Sequence, residues 1–288
     1  MKNKSLICAY MELTKPRILA LVLVTTAIGF FLGGKGISSF SQLFVTLLGA
    51  GLVCAGAAAL NQYLERDADS KMHRTKNRPI PSGIIAPNSA MLFGIVLILS
   101  GVLVLSACVN LLSAFLSLLT AFLYVLVYTP FKKISWLNTT IGAIPGAIPP
   151  MGGWAAASGE LDLGAWILFL ILFIWQHPHF YAIAWMFKED YKKGGFKMLS
   201  VLDPEGKKMF TQIKFFAILM IPVSLLPTMI GMSGKIYFYG ALVSSTGLFL
   251  VARTFLYSKT FVDAQKLLRA TVMYLPILLF LIIFDVTF

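Results

Sequence analysis

Apolar runs of about 18 residues or more recur along this whole sequence, and no other feature limits its fold so severely. About 20 helical residues cross the hydrocarbon core of a bilayer, and only helices or closed barrels satisfy their backbone groups there. Runs of this length predict helices. The chain of 288 residues is 58% hydrophobic and only 12% charged, about half the charged share of an ordinary soluble domain. Spans and short loops use up the length, so we expect an all-α polytopic membrane protein, one domain over residues 1–288, of about nine transmembrane helices. The spans are expected at about 17–34, 42–63, 90–109, 111–128, 136–156, 164–186, 211–231, 236–257 and 268–286. Asn110 is the expected break between the third and fourth.

Charge orients the bundle. With the N-terminus inside, every Lys and Arg except Lys35 and Lys235 falls on the cytoplasmic side, out of 24 in total. That is the asymmetry of the positive-inside rule, and it places the C-terminus outside. The net charge of +12 is therefore read as membrane orientation and not as nucleic-acid binding. Cys8, Cys54 and Cys108 form no CxxC pair and support neither a disulfide framework nor a thiolate metal site. The first apolar run lacks a small-residue cleavage signal and reads as a retained helix, and nothing resembles an Arg- and Ser-rich transit peptide, which favours a bacterial cytoplasmic (inner) membrane over an organelle. Spans two and six both run inward and end in acids, which suggests two four-helix halves and a ninth helix.

The strongest chemical signal is Asn61-Gln-Tyr-Leu-Glu65-Arg-Asp67-Ala-Asp69, at the inner end of span two. Asn61, Glu65 and Asp69 are spaced i, i+4, i+8, which lines one helix face along about 12 Å. Oxygens of this kind suit Mg²⁺, usually held by one or two carboxylates and substrate phosphates. Asp67 points elsewhere. The plain alternative is a helix end solvated among headgroups, but ionisable residues near spans are mostly functional. Lys71, Arg74, Lys76 and Arg78 follow within a short loop, and such cations hold phosphate oxygens. They are equally what a cytoplasmic anchor needs. Tyr128, Lys132 and Lys133 end span four, where they either meet a leaving diphosphate or form an interfacial belt. Within span six lie His177-Pro-His179, followed by Glu189 and Asp190. The histidines face different sides of a regular helix, and Pro178 is expected to kink it and rearrange that geometry. Either could meet a metal or haem iron, or simply bond a neighbouring helix. His179 lies roughly 15 Å from the acids at 189–190, too deep to serve only a diphosphate at the water interface.

The segments Thr14-Lys-Pro-Arg17, Asn61 through Gly83, Tyr128 through Lys133 and His177 through Gly195 resemble, in order, the UbiA superfamily of intramembrane prenyltransferases. The likeness is closest to its haem-farnesylating branch, because Glu65 replaces the usual middle aspartate and His177-Pro-His-Phe180 precedes a sparse second acidic motif. The resemblance implies farnesyl diphosphate bound with Mg²⁺ at Asn61, Glu65, Asp69 and Asp190. It implies that Lys71, Arg74, Lys76, Arg78, Tyr128, Lys132 and Lys133 surround the diphosphate, and that haem B is the acceptor. His179, and after it His177, are the candidate haem contacts. Haem A synthase or oxidase assembly proteins are the implied protein neighbours, and no nucleic acid is. A quinone-precursor prenyltransferase and a transporter of haem or diphosphate remain the competing readings.

Overall fold

The computed structural model describes residues 5–287; Lys2 and Lys4 of the charge argument lie outside that range. Among the described residues the regular elements are all helical, and the only ladder contact is a single bridge between Ser233 and Val286. A short α1 (Leu6–Leu13) precedes α2 (Pro16–Gly33), whose proline stands where a helix start needs no N–H. The motif helix α3 (Phe40–Asp69) is longer than the expected second span. It carries the acidic sequence in its last turns, with Asn61, Glu65 and Asp69 on one helix face as their spacing predicts. Next come α4 (Pro87–Cys108) and α5 (Leu111–Phe122), separated at Asn110, whose side chain caps Ser113. The fourth span continues from α5 through a wide π-type turn, Leu123–Tyr128, into α6 (Thr129–Phe131).

The expected fifth span is present but bent. It divides at Ile148 into α7 (Asn138–Ala147) and α8 (Pro149–Ser158), because Pro149 and Pro150 supply no backbone donor to the preceding turn. Then follow α9 (Leu163–Met186), the surface turns α10 (Lys188–Lys193) and α11 (Leu199–Leu202), and the last three spans, α12 (Lys207–Met229), α13 (Lys235–Ser258) and α14 (Phe261–Phe284). Eight helices among the described residues are long and apolar enough to span; the broken α7–α8 pair is the ninth element of the expected set. Pro178 does not interrupt α9, which continues through it.

Close packing comes from small residues, as expected where lipid removes the hydrophobic drive between helices. Gly56 of α3 lies against the backbone of Gly94 in α4, where an added Cβ would stand 2.5 Å from the Gly94 oxygen. Gly101 meets the Gly49 oxygen the same way two turns on, at 2.6 Å. The most enclosed span is α9, with 61% of its apolar window buried against 22% for α4, so α9 is central and α4 faces lipid. At one end of the bundle, loop meets loop: Lys197 N–H donates to the Lys132 oxygen (2.7 Å) and Asn138 Nδ2 to the Lys197 oxygen (3.0 Å). At the other end Gln42 and Asn110 tie to the Ala156 and Ala155 oxygens, and Tyr237 N–H donates to Asp285 (2.7 Å). The loops expected inside share the first end, so the charge asymmetry of the sequence is an asymmetry of the fold.

Candidate active site

The last turns of α3 place three oxygen-bearing side chains on one inward face. Asn61, Glu65 and Asp69 are 1%, 5% and 0% exposed. The Asp67 side chain is 79% exposed and lies 3.9 Å from Arg66, on the other side of the helix. Each inward group is met by a cation from a different part of the chain. Lys15 Nζ donates to Asn61 Oδ1 (2.7 Å), Lys132 Nζ to Glu65 Oε1 (2.7 Å) and Arg78 Nη1 to Asp69 Oδ2 (2.6 Å).

Local structure explains how these cations arrive. Lys15 caps α2 with a left-handed backbone, φ 51°, a conformation costing a non-glycine residue about 1–2 kcal/mol. That turn aims its ammonium back across the helix start toward α3. The π-type turn lets Thr129 Oγ1 donate to the Tyr124 oxygen five residues back (2.8 Å) while accepting from Asn61 Nδ2 (3.0 Å). Such turns concentrate at functional sites. Tyr124 also accepts from Lys15 at 3.4 Å, and the Lys132 ammonium lies 4.6 Å from the Tyr128 ring centroid. Arg78 closes the loop that begins at the C-cap of α3, and Thr75 Oγ1 fixes that loop by donating to the Asp69 carbonyl (3.0 Å).

The electrostatics follow from burial and neighbours. Burial, and then the Arg78 charge, push the Lys15 ammonium down to about 7. Burial also works against the Lys132 ammonium, but the Glu65 carboxylate, which accepts its hydrogen bond, and the Tyr128 and Tyr124 phenols together outweigh it and hold Lys132 above its ordinary value. At Asp190, slight desolvation is outweighed by the N–H groups of Arg74 and His73, and the carboxyl sits below the usual range.

Asp190 stands apart from the α3 face. Its two oxygens accept from the backbone N–H groups of His73 (3.2 Å) and Arg74 (3.1 Å), pinning the basic loop to α10. Among the described residues no three His, Cys, Asp or Glu side chains gather closely enough to hold a metal, so Asp190 is not drawn into one set with Glu65 and Asp69. A divalent cation is nonetheless compatible with the α3 face. Asp69 Oδ1 is buried without any hydrogen-bond partner, an orphan that a native interior rarely tolerates. Two carboxylates and an amide oxygen are the donors of a hard cation that takes its remaining ligands from phosphate.

Of the remaining predicted residues, Arg78, Lys132 and Tyr128 sit at the face, while Lys71, Arg74, Lys76 and Lys133 are exposed. The Arg74 guanidinium covers Phe187, 5.1 Å from its centroid. His177 and His179 point to different sides of α9. His177 is fully buried, stacked on Phe216 (3.6 Å), with its ring nitrogens 2.8 Å from the Phe173 oxygen and 3.2 Å from Thr140 Oγ1. His179 is half-buried, stacks on Trp175 (4.9 Å) and uses Nδ1 toward Thr271 of α14 (2.9 Å). Lys15, Tyr124 and Thr129 belong to the site but escape the pattern of acids and basic clusters. The readable hint is a lysine directly before the N1 proline of a helix that starts at the acidic end.

A model of the UbiA prenyltransferase family matches residues 22–280. The chain is 46% identical to a protein of Solibacter usitatus named protoheme IX farnesyltransferase, over 96% of this chain and 98% of that one. It is 38% identical to a protein of the same name from Aquifex aeolicus, over 98% and 97%. Its fold matches a digeranylgeranylglyceryl phosphate synthase with a TM-score of 0.82 at 20% identity, covering 98% of this chain and 99% of that one. It also matches a UbiA homologue from Archaeoglobus fulgidus bound to GPP and Mg²⁺, with a TM-score of 0.69 at 16% identity, covering 95% and 99%.

Proposed function

We propose that this chain, which belongs to the UbiA prenyltransferase family, transfers a farnesyl group from farnesyl diphosphate to the 2-vinyl group of haem B, with addition of water, giving haem O and diphosphate. The observation that carries the chemistry is the buried face of Asn61, Glu65 and Asp69, met group by group by Lys15, Lys132 and Arg78. Buried ion pairs add little net stability over apolar packing. Their convergence at one helix end therefore points to a place where a polyanion and a divalent cation replace the internal partners. The acceptor follows the name carried by relatives that align over nearly the whole chain.

On this reading Asn61, Glu65 and Asp69 would hold Mg²⁺, which would supply positive charge against the leaving diphosphate. Lys132, Arg78 and Lys15 turn from the α3 oxygens to the diphosphate, so the charge that grows as the allylic C–O bond breaks meets fixed donors. The outer cations Lys71, Arg74, Lys76 and Lys133 attract the anion to the same end of the bundle. Asp190 would join the metal set only on leaving the His73 and Arg74 amides; as placed, it holds the basic loop in register. The helices around α3 keep water from the allylic cation until the vinyl group attacks it. His179 is the better haem contact of the two histidines, because His177 has both ring nitrogens committed inside the bundle. The basic end faces the cytoplasm of a bacterium, across its cytoplasmic membrane.

The test is incubation of the purified protein with farnesyl diphosphate, Mg²⁺ and either haem B or 4-hydroxybenzoate, followed by mass analysis and measurement of released diphosphate. Haem O with stoichiometric diphosphate is expected. Prenylated 4-hydroxybenzoate without haem O would assign the site to a quinone branch, and no diphosphate release at all would favour transport.

A further inference from the structure

On the outer wall of the bundle, away from the α3 face, α12 and α13 run antiparallel and line a surface cavity of about 540 Å³, which adjoins one of about 580 Å³ on α13. They share Arg253 and Tyr257, and the walls carry Lys207, Lys214, Arg253 and Lys259 but no acidic residue. Neither α12 nor α13 contains an Asp or Glu.

Two of these cations are accounted for by the protein. Lys207 pairs with Glu205 (2.9 Å), and Lys259 donates to the Glu205 carbonyl (3.1 Å) while lying 5.2 Å from the Phe210 ring centroid. The other two are not. Among the described residues, Lys214 has no hydrogen bond or ion pair, and Arg253 only covers the Tyr257 ring, 5.8 Å from its centroid. Both stand inside membrane-spanning helices. Lys214 is seven residues beyond the start of α12, about 10 Å along it, and Arg253 is five residues before the end of α13, about 8 Å. That is the depth of the headgroup layer, below the loops and above the hydrocarbon. Deeper along the same helices the outward side chains are apolar: Phe215, Ile218, Leu250 and Val243 are all exposed.

We propose that this groove binds the anionic head group of a phospholipid, with Lys214 and Arg253 on the phosphate, Lys259 at the rim, and an acyl chain along the apolar wall of α12 and α13. The argument is charge complementarity at a fixed depth. Unpaired cations inside a span need a counter-charge, and the only anion with a permanent supply at that level is the lipid phosphate. Basic pockets between helices on this side of a membrane take phospholipid head groups for the same reason. Tyr257 supplies an amphipathic ring that settles at the same level, with Phe249 deeper on the apolar wall.

The test uses the full chain in detergent, exchanged against phosphatidylglycerol or phosphatidylcholine, with bound lipid counted by native mass spectrometry. The wild type is expected to retain phosphatidylglycerol preferentially. Each cation is worth roughly a fivefold preference, so Lys214→Gln with Arg253→Gln should lower it on the order of 25-fold. The paired change Lys192→Gln with Lys193→Gln, at the same end of the bundle, should leave it within about twofold. Thermal unfolding in phosphatidylcholine confirms that both variants are folded. Equal retention of the two lipids by the wild type, or an equal loss in both variants, would overturn the proposal. Displacement of the lipid by millimolar inorganic phosphate would assign the cations to a free anion, and displacement by haem would assign them to the acceptor; either outcome also overturns it.

Discussion

Lys132 and Glu65 form a buried pair, with side chains 14% and 7% exposed and an Nζ–Oε1 distance of 2.7 Å. Structural and catalytic roles for such a pair predict different outcomes in a double-mutant cycle. Lys132→Met keeps the stem and removes the charge, leaving Glu65 as a buried carboxylate without its partner. Breaking one side of a buried pair costs about 3–5 kcal/mol, whereas replacing both sides with apolar groups of similar size costs little. Lys132→Met should therefore unfold well before the wild type in a denaturant titration of the reconstituted protein. Lys132→Met with Glu65→Met should recover to within about 1 kcal/mol. Turnover should not follow stability. If Lys132 stabilises the leaving diphosphate, its loss raises the barrier by about 2.7–4 kcal/mol, or 10²–10³ in kcat. The double variant also lacks a metal ligand, so haem O formation at saturating substrate should stay at least as low. Recovery of turnover in step with stability would refute the catalytic reading of the pair. Unchanged stability in Lys132→Met would refute the pair itself.

Asp69→Asn should cut haem O formation at least about 100-fold, while Asp67→Asn, on the exposed side of α3, should change it less than about twofold; equal losses would refute the one-face arrangement. The buried Lys15 ammonium, pushed down to about 7, is charged below that pH and neutral above it. Because only the charged form attracts diphosphate, kcat/KM for farnesyl diphosphate should fall as pH rises through about 7, and Lys15→Arg should flatten that limb, since a guanidinium keeps its charge. Identical pH profiles would remove Lys15 from diphosphate binding. His179→Ala should lower haem affinity, read by absorbance titration, while binding of a non-hydrolysable farnesyl diphosphate analogue persists; unchanged haem binding and turnover would return His179 to helix packing against Thr271.

Within the sequence, local chemistry determined the helices and the shape of the motif. Apolar length requires helical spans, because in hydrocarbon each backbone group must find its partner within its own segment. The spacing of Asn61, Glu65 and Asp69 follows from helical pitch alone, and with it the outward placement of Asp67. The skew of lysine and arginine is likewise a property of the linear chain. Local pitch does not say what the face would meet. The partners of Asn61 and Glu65 come from Lys15, 46 residues before the first, and Lys132, 67 residues after the second, and no periodicity links such distant positions. Only the packing of α2 and α6 against α3 brings those ammonium groups to the oxygens. Tertiary structure also turned Asp190 to the amides of His73 and Arg74. In each case the reason is physical: a buried charge or unpaired backbone group takes the nearest partner the assembled bundle supplies, and which partner is nearest is settled only once the helices have packed.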